Sequence, residues 1–341
     1  IYKDLGFQQR ALVEGWQSVN TDPTNFSAHR FLSDSYAALP RREIARVSEL
    51  LQSQLLQPIN ITPIQPRLTE SNLFLISSQG PSTAGFNTYN PLFNRNQAVM
   101  QAGGLAGSNS TWGAEGVVSG IYDKLSLSAG YTRFDTDGWR ENANQDDKIA
   151  NIFGQYELTY KTSLQAEYRY RDTQKGDLAL RFDPDSFFSN LEEEAKKNSI
   201  RFGLRHSFTP GSIFLGSFIY QDNKTDVKNR VEDQEALPGA LLIIEPETDI
   251  DEDAYSGEVQ HLFRSEYINL TSGAGYFNIN GEEQINRKVS VFFPPPLTDL
   301  SRSAFLPPQK KNLDVNHTIL YLYSYINFPK NVVFTLGASA D

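Results

Sequence analysis

The feature that most constrains the fold of this chain is a strict alternation of apolar and polar residues over long stretches. In SLQAEYRYR, residues 163–171, every second side chain is apolar, and the residues between are polar or charged. An extended strand with this pattern has one oily face and one charged face. Two folds use such strands: a soluble sheet that covers a core, and a membrane barrel with lipid outside and a wet lumen inside.

Strand-like segments of this kind fill the chain from about residue 95 onward. We count about eleven of them, near 95–106, 111–122, 124–136, 147–160, 162–173, 197–208, 212–224, 253–264, 266–280, 314–328 and 331–341. Strands of globular proteins average about 5–6 residues, whereas a tilted membrane strand needs about 9–11 in the apolar band plus its ends. The lengths favour the membrane barrel.

The connections between these segments alternate between short and long. The short ones are YDKL (122–125), TYKT (159–162), TPGS (209–212), RSEY (264–267) and FPKN (328–331). The long, polar ones lie at about 137–146, 174–196, 225–252 and 281–313. Outer-membrane barrels have short periplasmic turns and long outer loops. The first turn is a short one, so we expect the chain before the first strand to lie in the periplasm.

The two faces of the predicted strands agree with this interpretation. Charges of both signs occupy the polar faces, where a sandwich core could not bury them, and Tyr and Phe lie near the ends of the oily faces. We therefore predict a mainly β fold, an antiparallel transmembrane β-barrel. A soluble antiparallel sheet is the alternative. Single-chain bacterial barrels have an even strand number, so we expect a barrel that is C-terminally incomplete in residues 95–341.

The first 58 residues have helical spacing instead. Apolar residues recur on one side of three stretches, 2–20, 25–38 and 39–58. Pro23 breaks the first stretch and Pro58 ends the third. We predict three helices here.

The helical spacing resembles that of tetratricopeptide repeats, whose period is 34 residues. The residues that match the repeat pattern are Ala11, Pro23, Leu32, Tyr36, Ala45 and Pro58. His29 and Ser33 stand where the pattern has Trp and Gly. An ordinary helical hairpin is the alternative. Because one and a half repeats cannot bury a core alone, the resemblance implies that more repeats precede residue 1.

Three parts of the chain are thus expected: periplasmic tetratricopeptide-like helices over 1–58, a linker over 59–94 and the barrel over 95–341. The linker is rich in Pro, Asn, Ser and Thr, with a short predicted strand at Leu73–Ile76. Residues 1–94 hold equal numbers of acidic and basic residues, so the rest of the chain carries the whole net charge of −10. An acidic chain without a basic patch argues against a nucleic-acid partner.

Helical repeats followed by a barrel resemble the outer-membrane exopolysaccharide export porins of Gram-negative bacteria, and other outer-membrane proteins of the same layout. The resemblance implies that the periplasmic repeats dock partner proteins and that the barrel passes a polymer or solute outward. It supplies no residue motif for the cargo.

Eight charged residues of the predicted strands are candidates for lining the lumen. They are Glu157, Glu167, Arg169, Arg171, Arg201, Arg205, Glu258 and Arg264. Opposed charges across a pore select solutes by size and charge. The alternative is that these side chains pair with one another across neighbouring strands.

Histidines and clustered aspartates are often catalytic or metal-binding residues in other proteins, but in this chain a structural role is the better interpretation. His206 and His261 fall on the oily side and are predicted to be interfacial side chains. Asp249, Asp251 and Asp253 have calcium-loop spacing, but Ala254 replaces the Gly that an EF-hand requires. A solvated loop is the better interpretation, so we expect no metal, no cofactor and no enzymatic activity.

Two apolar stretches interrupt the longest predicted loops. They are ALLIIEPE (240–247) and VFFPPPL (291–297). The first stretch has two interpretations. It is either a strand that extends above the membrane or a loop that folds in or contacts a ligand.

The function that follows from these observations is a passive conduit, either a porin or an export channel, that contacts outer-membrane lipid and periplasmic proteins. Its cargo would be a polysaccharide or a small solute. The first alternative is a surface binding, adhesion or receptor protein that uses long outer loops on a barrel anchor. An enzyme on the barrel wall is a further alternative, disfavoured because no Ser/His/Asp arrangement is visible.

Overall fold

The computed structural model describes residues 7–36, 43–59, 93–178, 186–233, 240–295, 297–329 and 332–340. The helices are α1 (Gln8–Thr21), α2 (Phe26–Tyr36) and α3 (Glu43–Leu56). The strands are β1 (Gln97–Ala106), β2 (Trp112–Tyr122), β3 (Leu125–Thr136), β4 (Gln145–Thr159), β5 (Thr162–Lys175), β6 (Glu192–Thr209), β7 (Ser212–Lys228), β8 (Val231–Asp233), β9 (Leu241–Arg264), β10 (Ile268–Phe292), β11 (Arg302–Ile326) and β12 (Phe334–Ala340).

The strands form one twelve-stranded antiparallel sheet in chain order, except that the short β8 pairs only with β9. Strands β1 and β12 are the edges of the described sheet, which is open. The other eleven strands correspond to the predicted segments. The turns YDKL, TYKT and TPGS join β2 to β3, β4 to β5 and β6 to β7 as expected.

The two longest predicted loops are wrong as loops, because most of their residues belong to strands. Strands β9, β10 and β11 run for 24, 25 and 25 residues. ALLIIEPE begins β9 and pairs with the end of β10 and with β8. The acidic residues Asp249, Asp251 and Asp253 also lie in β9, where an extended backbone cannot wrap around an ion. These long strands account for the apolar residues that seemed out of place in a loop.

The sheet has an apolar face and a polar face, and the pattern of burial is the reverse of a soluble sheet. On the apolar face Ile152 is 62% exposed and Phe202 is 51% exposed. On the polar face Asn151, Gln155 and Gln165 are buried. Soluble proteins rarely expose large contiguous apolar surface, whereas barrels present such a band to lipid. The soluble alternative would require the opposite arrangement.

The three helices pack against one another. Ala11, Leu12 and Leu32 are buried between α1 and α2. Gly15 allows this approach, because a Cβ there would lie 2.7 Å from Leu32 Cδ2. Trp16 Nε1 donates a hydrogen bond of 2.7 Å to the Tyr36 hydroxyl. Within the described chain, no helix has the length and hydropathy required to cross a membrane.

A tetratricopeptide array is not shown, because the described residues contain only three short helices before β1. The side chain of Ala45 and the predicted strand at Leu73–Ile76 lie outside the described residues. Helix α3 packs on the polar face of the sheet, in a cluster formed by Leu51, Leu55, Leu56, Ile213, Leu215 and Leu262.

We call this cluster the α3 contact. Burial of each leucine contributes roughly 1.5–3 kcal/mol to the packing of the helix. Gly203 on β6 makes room for it, because a Cβ at Gly203 would lie 2.6 Å from Leu55 Cδ2. The apolar residues Ile213 and Leu215 interrupt the polar face where α3 covers it.

Candidate functional site

The centre of the polar face holds a buried ion pair beneath α3. Glu167 and Arg201 occupy directly opposed positions of β5 and β6, and their side chains pair. Arg201 is only 2% exposed. Gln54 of α3 donates its Nε2–H to Glu167 Oε2 at 2.9 Å. A buried charge that loses its partner is strongly destabilising, so this pair fixes the local arrangement of wall and helix.

A second charged group lies on β4 and β5. Arg171 donates through Nε and Nη2 to Asp147 Oδ1, at 3.0 and 2.9 Å. The Thr173 hydroxyl donates to the same oxygen at 2.5 Å. Asp147 was not among the predicted lumen-lining residues. Its signal was available, because Asp147 continues the alternation of polar-face residues through Asn151 towards Gln155.

Three more of the predicted residues lie on the polar face. Arg169 is buried there. Glu157 and Arg205 are half-buried and both pair with Ser163 in the strand register, one from each side. These three residues extend the charged surface along the wall.

The last two predicted residues contact the helices. Arg264, at the end of β9, pairs with Asp22 of the α1–α2 turn at 3.2 Å (Nη1 to Oδ2). Ser48 of α3 donates its hydroxyl to Glu258 Oε2 at 3.4 Å, and the Tyr321 hydroxyl donates to the other oxygen of Glu258. The structure therefore places all eight predicted residues on one face. Glu167–Arg201 is a cross-strand pair, which agrees with the pairing alternative for those two.

Within the helices, His29 forms a charged pair. Its Nδ1 contacts Glu49 Oε2 at 2.6 Å, and its Nε2 contacts the Pro23 carbonyl oxygen at 2.9 Å. Burial of the ring favours the neutral form, but the hydrogen bond and charge of Glu49 outweigh it, and the pKa of His29 is raised. Both ring nitrogens face acceptors, so the protonated form satisfies both contacts.

The α1–α2 turn is also electrostatically organised. Burial alone would raise the pKa of Asp22, but hydrogen bonds from Thr24 and the charge of Arg264 hold it below its usual value. The Thr24 hydroxyl donates to Asp22 Oδ1 at 2.6 Å. The carboxylate that meets the wall is therefore kept ionised.

A cavity of about 1160 Å³ lies between the helices and the polar face of β7 and β9–β11. Its helical side includes Tyr36, Ser48 and Glu49, and its wall side includes Glu258 and Tyr321. The size exceeds the roughly 300–1,000 Å³ of ordinary small-molecule sites. It is the space in which a solute on the polar face would lie.

The two histidines of the apolar face lie at the short-turn end of the strands. His206 Nδ1 contacts the Thr162 hydroxyl at 2.8 Å, and His261 Nε2 contacts the Ser212 hydroxyl at 2.9 Å. The Phe208 ring packs edge-on against both, with centroids 4.7 and 6.4 Å away. This placement at strand ends agrees with the predicted interfacial role.

No family model matches the sequence, and no curated protein matches it. Among solved structures, the chain is similar to the ferripyoverdine receptor of the outer membrane of Pseudomonas aeruginosa, bound to ferripyoverdine. The TM-score is 0.53 with 14% identity, covering 72% of this chain and 36% of that one. It is also similar to the siderophore receptor PiuA from Acinetobacter baumannii. There the TM-score is 0.52 with 10% identity, covering 72% and 42%.

These similarities define the fold. The sheet is that of an outer-membrane β-barrel protein, which agrees with the exposed apolar face and with the predicted outer-membrane location. The chain spans less than half the length of the two receptors that it matches.

Proposed function

We propose that this chain forms part of an outer-membrane transport protein whose lumen is closed at rest by α1–α3. The observation that carries the proposal is the α3 contact, in which three leucines cover the polar face. The polar contacts Asp22–Arg264, Ser48–Glu258 and Gln54–Glu167 hold the same helices against the wall. A conduit with this obstruction is gated, in contrast to the passive conduit expected from the sequence.

The position of the helices supports entry from the periplasmic side. Arg264 is the last residue of β9 and adjoins a short turn, and Leu262 and Ile213 lie near the same end of their strands. Short turns are periplasmic in outer-membrane barrels. We propose that residues 1–58 reach the lumen from the periplasm, and that exposed side chains such as Trp16 dock periplasmic partners.

The neighbours with comparable folds are described as siderophore receptors. These receptors support a small solute as the cargo. The resemblance to export porins instead supports a polymer. We propose no catalytic step for this wall.

The test uses cross-linking of α3 to the wall in the full-length gene product. The 341 residues contain no cysteine, so Ser48→Cys with Glu258→Cys, in a background with any cysteine outside them replaced by serine, provides the pair for a short bis-maleimide. In planar bilayers, the uncross-linked protein should show stepwise conductance and the cross-linked protein should show almost none. Ser48→Cys alone, treated identically, is the control. Equal conductance before and after cross-linking would refute gating by α3.

A receptor role is the second candidate, favoured by the length of β9–β11. Their 24–25 residues are more than twice the roughly 9–11 that a membrane strand needs, so these strands project far beyond the bilayer. Whole cells that express a version lacking 281–313 should lose surface ligand binding if the projection is the binding element, while conductance remains.

A further inference from the structure

Two tyrosine side chains of the polar face each lie opposite a glycine of the neighbouring strand. Gly273 of β10 pairs with Tyr321, and a Cβ there would lie 2.4 Å from the Tyr321 ring. Gly337 of β12 pairs with Tyr323, and a Cβ there would lie 3.0 Å from that ring. Any larger residue at either glycine would push the ring away from the wall. We call Tyr321 and Tyr323 the tyrosine platform.

The two rings of the tyrosine platform stack against each other, and both line the cavity. The two ring centroids are 5.8 Å apart, and the ring planes differ by 28°. Both residues line the 1160 Å³ cavity, and Tyr323 is 47% exposed. The exposed part of the Tyr323 ring is available for aromatic contact with an occupant of the cavity.

The rest of the cavity lining combines apolar residues, such as Ile219, Leu262 and Ile319, with several amide side chains. The amide residues of the helices and of the polar face that line the described cavity are Asn20, Gln52, Gln221, Asn223, Gln260 and Asn269. Each offers both a donor and an acceptor, which suits a hydroxyl group in either role.

Few charges are free to select an ionic ligand. Glu258 accepts hydrogen bonds on both oxygens, and Glu49 is paired with His29. Glu252 and Lys197 are the other acidic and basic residues that line the described cavity. A polyanion would need more cations than Lys197 supplies, and a polycation would meet carboxylates that are largely engaged.

We propose that this cavity binds a neutral oligosaccharide. The C–H-rich face of a sugar ring stacks on the tyrosine platform, because its weakly positive hydrogens meet the negative π-face. The hydroxyl groups exchange hydrogen bonds with the surrounding amides. The proposal rests on the proposed transport function, since it names the class of solute that occupies the same lumen.

The test is isothermal titration of the full-length gene product in detergent with four neutral hexasaccharides. These probes are maltohexaose, cellohexaose, mannohexaose and N-acetylchitohexaose. At least one should bind, and Tyr323→Ala should weaken that binding about tenfold. Tyr323→Phe keeps the ring and should bind within about threefold of the unmodified protein. The matched control is Tyr131→Ala, since Tyr131 is 50% exposed on the apolar face and should not affect binding.

Three results would overturn the proposal: no heat from any of the four sugars at about 1 mM, unchanged affinity in Tyr323→Ala, or tighter binding of hexalysine than of every sugar. Conductance of the same preparation separates the two proposals. Gated conductance without sugar binding refutes the proposed saccharide site and supports the proposed conduit. If the protein binds sugar through the tyrosine platform but never conducts, the proposed conduit is refuted and the proposed saccharide site is supported.

Discussion

Substitution of Gly203 by leucine should open the lumen without altering the helices themselves. Gly203 lies on the wall under α3, and a Cβ there would already be 2.6 Å from Leu55 Cδ2 and 2.9 Å from Gln165 Cγ. Leu55 is fully buried in the α3 contact, where it packs with the other leucines and with Ile213 and Leu215. A leucine at 203 must therefore displace the helix.

The magnitude follows from the cost of overpacking. Extra methylene groups in a well-packed core cost about 1–3 kcal/mol, and here that cost falls only on the closed arrangement. The ratio of open to closed molecules should rise about 5- to 150-fold. In planar bilayers the open fraction of Gly203→Leu channels should rise accordingly, and the helices should become sensitive to protease added on their side.

The matched control is Gly116→Leu. Gly116 lies on the apolar face opposite Tyr131, and a Cβ at Gly116 would meet nothing within 4 Å. The same substitution there adds the same volume and hydrophobicity but should leave conductance and protease sensitivity unchanged. If Gly203→Leu inserts normally and conducts like the unmodified protein, α3 does not close the lumen and the reasoning fails.

Two further perturbations test the electrostatics. The raised pKa of His29 stabilises the helices below the unfolded-state pKa of about 6.5, and this stabilisation is lost as pH rises through the higher folded-state pKa. The protection factors of the α2 amides, which are exchange rates corrected for that of a free amide at the same pH, should therefore fall as pH rises, and His29→Gln should remove that fall; equal profiles would contradict it. Arg201→Ala should lower the free energy of unfolding by about 3–5 kcal/mol, because Glu167 remains buried without its partner. In urea titrations with lipid, Glu167→Gln combined with Arg201→Gln should recover most of that loss, and no recovery would refute the pairing argument.

The alternation of residues predicted most of the sheet, and the reason is physical. A period of two is imposed by the strand itself, so residues such as Phe202 and Arg201 were assigned to the correct faces without knowledge of their partners. Turns of two residues, such as Asp123–Lys124, were also visible. The outer ends of β9–β11 were not predicted. Strand β9 carries polar residues on both faces there, and such a pattern is typical of a loop.

The helix placement could not be predicted from periodicity within the first 58 residues. Those residues form an amphipathic pattern whose partner surface lies more than 150 positions away. A signal existed on the other side of the contact. SIFLGSFIY, residues 212–220, loses the polar half of its alternation, with Ile213 and Leu215 apolar on the face that should be wet. A strand that carries apolar residues on both faces is expected to be buried on both faces.

The tyrosine platform could not be predicted from local sequence for the same reason. Tyr321 and Tyr323 alternate correctly onto the polar face, but the space beside their rings depends on which residue lies opposite on the neighbouring strand. Strand register joins Gly273 and Gly337 to these rings, and no local pattern contains that pairing.

The long β9–β10 hairpin has a mechanical consequence. Its ladder runs in unbroken register from Arg264 and Asn269 to Leu241 and Phe292, without a bulge. A pull on the distal tip is therefore transmitted along a stiff rod to Glu258, which contacts both α3 and the tyrosine platform. Under the proposed closure by α3, a ligand bound at the tip would act through this hairpin on the contacts of Glu258.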